Sequence, residues 1–83
     1  METTRYFREQ VLRKRPYLSL ALCEEVVRSP LRREVQADGR IRLWGPVNLP
    51  DQPKARILRV ILLEDDETIH NAFLDRGFDE DTQ

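Results

Sequence analysis

Only one cysteine, Cys23, occurs in the chain, which excludes an intramolecular disulfide and a cysteine-rich metal site. No apolar stretch approaches the roughly 18 residues that a membrane-spanning helix needs. The opening METTRYFREQ has no apolar signal core, so a cytoplasmic protein without membrane contact is expected. No glycine-rich phosphate loop, zinc-ligand spacing or nucleophile elbow is present; neither a metal nor another cofactor is expected. Histidine is nearly absent as well. His70 is the only one, so a single side chain has an unperturbed pKa near neutrality.

What is present is a soluble, globular composition: 40% hydrophobic and 35% charged residues, too apolar for a disordered chain. At 83 residues this is one domain with a small core. Residues 1–78 are expected to form it, and 79–83 to be an acidic, disordered tail. The net charge of −1 hides an asymmetry: residues 1–63 sum to +6 and residues 64–83 to −7. A basic body suggests a polyanionic partner; a solvated surface of mixed charge is the plainer alternative.

Thr3 and Thr4 can cap RYFREQVLRKR, a run of helix formers whose Tyr6, Phe7 and Val11 share one side. Pro16 ends that helix. Ser19 can cap a second, LALCEEVVRS, which Pro30 closes. Leu18, Leu22, Cys23, Val26 and Val27 cover a wide arc of it, so it should be the more deeply buried of the two. LRREVQ and RIRLWG then read as strands around a two-residue Asp38-Gly39 turn. That register sets Arg33 opposite Trp44, and it gathers Arg33, Val35, Arg40, Arg42 and Trp44 on one face. PVNLPDQP reads as a loop. RILRVILLE reads as a central strand covered on both sides, Asp65-Asp66-Glu67 as a turn, and TIHNAF as a last strand. The expected fold is α+β: two N-terminal helices packed on an antiparallel sheet of three to four strands.

Several of these residues carry a resemblance. Arg5, Arg13 and Arg15 in the first helix, Ser29-Pro30, Asp38-Gly39-Arg40, Trp44-Gly45 and Leu58-Arg59-Val60 resemble a family of short bacterial proteins of unknown function related to the RelE and BrnT toxins. The resemblance covers most of residues 4–73. It implies a compact α+β toxin-type domain that binds RNA and cuts it without a metal. It also implies the ribosome as a possible target and a co-encoded antitoxin as partner. Where many relatives carry a first-helix histidine, this chain has Tyr6 and Phe7, which admits an inactive relative too.

Metal-free RNA cleavage needs a base for the 2′-hydroxyl proton, a cation for the pentavalent phosphorane and an acid for the leaving oxygen. His70 is the natural base or acid. Arg76, Arg59 or Arg42 can clamp phosphate through the guanidinium fork, and Tyr6 is a weaker proton donor. A hydrogen-bonded strand histidine is the plainer account of His70. The RNA-binding set is Arg33, Arg40, Arg42 and Trp44, cations for phosphate beside a ring for bases; an Arg33–Trp44 cation–π pair is the internal alternative. Asn71 should point away from His70 on a regular strand. The rival class is a non-catalytic module that pairs with itself or a partner through an exposed strand edge.

Overall fold

The computed structural model describes residues 1–78; the expected disordered tail at 79–83 lies outside the described residues. Two helices and a four-stranded antiparallel sheet make the fold α+β. Helix α1 covers residues 5–14. Thr4 caps it, its Oγ1 accepting the Phe7 N–H at 3.0 Å and so satisfying one of the otherwise unpaired first-turn donors. The middle of α1, Phe7–Val11, is a wide π turn in which the Leu12 N–H bonds to the Phe7 carbonyl. Helix α2, Leu20–Arg28, is capped by Ser19, whose Oγ accepts the Leu22 N–H at 3.2 Å. Among the described residues no helix is long and apolar enough to cross a membrane.

The helices differ less in burial than their patterns suggest. Phe7 and Val11 of α1, and Cys23 and Val26 of α2, are all fully buried. Leu22 and Val27 reach only the margin of the single core, which is why α2 is not the deeper helix. Burial, and then the charge of Glu24, push the Cys23 thiol up to about 12, so this sulfur is an inert core group.

The strands β1 (Arg32–Val35), β2 (Ile41–Val47), β3 (Arg56–Leu62) and β4 (Ile69–Leu74) lie side by side in chain order. The β1–β2 turn differs from the expected two-residue form. Gln36 pairs with Arg40, so the loop is Ala37-Asp38-Gly39, with Gly39 at φ +89°. A three-residue loop ending in a left-handed glycine is the other hairpin that Asp-Gly can make. Its effect is a slip of one residue: Arg32 lies opposite Trp44, Arg33 opposite Leu43 and Glu34 opposite Arg42. Because strand side chains alternate, that slip carries Arg33 and Val35 to the other face from Trp44.

Two further expectations are corrected. The strand continues through Gly45, Pro46 and Val47 rather than stopping before PVNLPDQP. Pro46 is tolerated because β1 has ended beside it, so no ladder donor is needed there. Strand β3 is also not covered by helices on both sides. Leu58, Val60 and Leu62 join the core beneath the helices, while Ile57, Arg59 and Ile61 alternate onto the opposite face. Gly45 marks where α2 crosses β2: a Cβ there would sit 3.2 Å from Val26 Cγ1. The core residues Ile41, Leu43, Leu58, Val60 and Ala72 all lie on that helix side. Trp44 and Ile61 are buried but stand outside this core, on a face that no described helix covers.

Candidate functional site

The helix-free face carries one row that crosses all four strands. Arg32 pairs with Trp44, Trp44 with Arg59 and Arg59 with Phe73, so cation and ring alternate at the inter-strand spacing of about 4.8 Å. The Arg32 guanidinium carbon lies 5.4 Å from the indole centroid. That of Arg59 lies 5.2 Å from the indole and 4.9 Å from the Phe73 ring. Such stacks gain about 0.5–2 kcal/mol each according to how dry they are. Arg32 also pairs with Glu34.

The chain then folds back over this row. Asp75 Oδ2 accepts the Trp44 Nε1–H at 2.9 Å and two Arg59 N–H groups at 2.6 and 3.1 Å. Its Oδ1 takes the Gly77 N–H at 2.9 Å, an Asx turn that brings Phe78 onto Trp44 with centroids 5.7 Å apart and planes 26° from parallel. The indole is thus only 4% exposed. Burial acts to raise the Asp75 pKa. The hydrogen bonds from Trp44, Arg59 and Gly77 and the Arg59 charge outweigh it and hold the carboxyl below its ordinary value. Residues 75–78 are therefore part of the folded surface.

Beside the row, Arg42 stands between Glu34 and Ile61 on the same face. Its Nε–H is buried and has no hydrogen-bond partner among the described residues, and a donor left in that state costs about 1–3 kcal/mol. Arg32, Arg42, Trp44 and Arg59 line a groove of about 320 Å³, bordered by Asp75 and Phe78.

The expected RNA-binding set is brought together only in part. Arg42 and Trp44 share the groove. Arg33 does not, because the register slip turns it away, and its guanidinium bonds to Asp66 at 3.2 Å. Arg40 lies at the hairpin, beyond β2. Arg32, Phe73, Asp75 and Phe78 were missed. The one signal that points to them is Arg59, a lone charge inside an apolar strand that must find an acceptor.

The expected catalytic set is not assembled. His70 lies near the start of β4 and Arg76 in the turn after its end, so the strand from His70 to Leu74, about 13 Å at roughly 3.3 Å per residue, stands between them. Arg59 sits opposite Phe73, and its guanidinium is directed to Asp75. The β3–β4 register breaks at His70: Asn71 pairs with Ile61 and Ile69 with Leu62, so His70 is the extra residue of a bulge. The regular alternation expected for His70 and Asn71 is broken there. Asn71 Oδ1 instead accepts the Ala72 N–H at 2.9 Å.

The bulge aims His70 at α1. Its Nδ1 lies 3.0 Å from Thr4 Oγ1, and its ring centroid 5.0 Å from that of Tyr6. Thr4 Oγ1 thus accepts from the Phe7 N–H and also hydrogen-bonds His70 Nδ1, with the tautomer of the ring setting which of the two donates. Burial first, and the Arg40 charge second, lower the His70 pKa below 6.5. The neutral ring is thus the form the fold favours. Its contribution is complete above the unfolded-state value and is lost as pH falls through and below about 6.5. The urea midpoint is expected to drop between about pH 7 and 5 and to drop less in His70→Gln; parallel declines would show that His70 does not carry the effect.

Comparison of the chain with family models, curated proteins and solved structures finds no match. Its function is therefore argued from its own residues.

Proposed function

We propose that this chain is an RNA-binding domain of the RelE/BrnT toxin type, which holds single-stranded RNA on the helix-free face of its sheet. The observation that carries the reading is the buried, unpartnered Nε–H of Arg42 in a groove whose present occupants are a ring and a carboxylate. A nucleotide offers the same pair, a flat base and an anion. Phosphate supplies the acceptor that Arg42 lacks, and a base takes the place of Phe78 on Trp44, a contact worth about 1–3 kcal/mol per base. In this reading the partners are RNA or the ribosome, and a co-encoded antitoxin.

Side-chain placement favours binding over cleavage, since His70 is far from Arg76 and its Nδ1 is engaged by Thr4. A protein-interaction module is the second reading, favoured by the outer strand β1, where Val35 is 61% exposed at its end and Leu31 is exposed just before its start.

Fluorescence anisotropy with a labelled single-stranded RNA, over a series of salt concentrations, tests the proposal. Arg42→Ala should raise Kd about tenfold and reduce the salt slope by about one. Unchanged affinity and slope would remove the groove from consideration. Wild type and His70→Ala incubated with mRNA and ribosomes in EDTA decide cleavage. Loss of cutting in the variant restores His70 as catalytic, while intact RNA with both leaves binding alone.

A further inference from the structure

A second cleft lies on the other side of the turn that closes the groove. It forms where the α1–α2 connection meets the β2–β3 loop and the end of β4, and its volume is about 350 Å³. Leu49, 6% exposed, and Leu74 give it an apolar lining. The Tyr17 ring stands at its rim, 40% exposed, although nothing in the helix pattern requires a large aromatic there. Two guanidinium groups complete it, those of Arg56 and Arg76.

Among the described residues neither cation has a carboxylate partner. Arg56 Nη1 donates to the Gln52 side-chain oxygen at 2.7 Å, a bond to an uncharged amide. Among the described residues Arg76 has no hydrogen-bond or ion-pair partner. Asp51 also lines the cleft but lies in no ion pair with either arginine, so the site keeps an excess of positive charge. An apolar lining, an accessible flat ring and two guanidinium forks suit one ligand chemistry: a phosphate joined to an aromatic base.

The cleft and the groove share a single turn. Asp75 faces the groove through Trp44 and Arg59, and the next residue, Arg76, lines the cleft; their Cα atoms are about 3.8 Å apart. A strand leaving the groove over this turn brings its next nucleotide to Arg76. We propose that the cleft binds the 5′-phosphorylated terminal nucleotide of the RNA held in the groove. The identity of the strand rests on the RNA reading above, whereas the affinity of the cleft for a phosphorylated nucleoside does not. A free nucleoside monophosphate carries the same chemistry, and the arms below separate the two sources.

The test is an NMR titration of the full, ¹⁵N-labelled chain with adenosine 5′-monophosphate and, separately, with adenosine. Amide shifts at Tyr17, Arg56 and Arg76 should saturate with the monophosphate and stay small with adenosine. Arg76→Ala should raise the monophosphate Kd about tenfold or more, whereas Arg33→Ala, whose guanidinium bonds to Asp66 away from both sites, should leave it unchanged. No response at the cleft, or equal binding by Arg76→Ala, overturns the site, and neither result bears on the groove. A single-stranded RNA with a 5′-phosphate should then bind more tightly than its 5′-hydroxyl counterpart in wild type but not in Arg76→Ala. Equal binding of the two oligonucleotides, with the monophosphate still bound, overturns the RNA-end assignment and leaves a free nucleotide as the ligand.

Discussion

Trp44→Ala is expected to lower the unfolding free energy by about 3–5 kcal/mol, even though Trp44 lies outside the core beneath the helices. The indole is 4% exposed, flanked by the Arg32 and Arg59 guanidinium groups, covered by Phe78 and bonded through Nε1 to Asp75. Truncation removes the ring on which all four of these groups converge, and it leaves a gap on a surface already tied down on three sides. A chain of 83 residues has roughly 4–12 kcal/mol of stability in total, so the loss takes from about a quarter to all of it. Trp44→Phe keeps a ring for the stack and loses the indole N–H; about 1–2 kcal/mol is expected, the cost of a hydrogen bond to a charged acceptor. Trp44 is the only tryptophan, so urea unfolding should be followed by far-UV circular dichroism rather than fluorescence. A loss below about 1 kcal/mol in Trp44→Ala would mean that the row across the sheet does not hold the fold together.

The parts of this fold that were legible in the sequence are those decided by neighbouring residues. Thr4 and Ser19 cap the helices because a hydroxyl there meets a backbone donor three positions on. Pro16 interrupts helical geometry locally, and the Asp65 turn closes on its own carboxylate, which accepts the Glu67 and Thr68 N–H groups. The basic face was misread for an equally local reason. Asp-Gly can be a whole two-residue turn or the end of a three-residue loop, and nothing within a few residues of Gly39 decides between them. The choice is made by packing at a distance: with Ala37 in the loop, Trp44 lies opposite Arg32 on one side and Arg59 on the other. Asp75 lies 16 positions from Arg59 and 31 from Trp44, so no spacing rule reaches it. The bulge at His70 carries no glycine or proline to announce it; the side chain it redirects meets Thr4, 66 positions earlier.

Removing the Asp75 carboxylate is expected to move stability and RNA binding in opposite directions. Asp75→Ala leaves the Trp44 Nε1–H and the Arg59 guanidinium without their acceptor. Breaking a fully buried pair costs about 3–5 kcal/mol and an exposed one about 0–1. With the Arg59 and Asp75 side chains 26% and 12% exposed, the loss should fall between, at about 2–3 kcal/mol. The pH dependence has a definite sign. Because the carboxyl is held below its ordinary value, its contribution is full above the unfolded-state pKa of about 4 and disappears as pH falls through the folded one. Wild type and variant should therefore differ at neutral pH and converge in strong acid. RNA affinity should rise instead. The variant places one more net positive charge in the groove and frees Arg59 for phosphate, so Kd should fall several-fold at low salt, with a steeper salt dependence. Asp75→Asn retains an acceptor for the indole and should lose less stability while gaining a similar share of the affinity. Weaker RNA binding by both variants at every salt concentration, with folding confirmed by circular dichroism, would show that the carboxylate does not compete with phosphate for Arg59. The groove would then be a self-contained structural cluster, since its ring and its anion come from the chain itself.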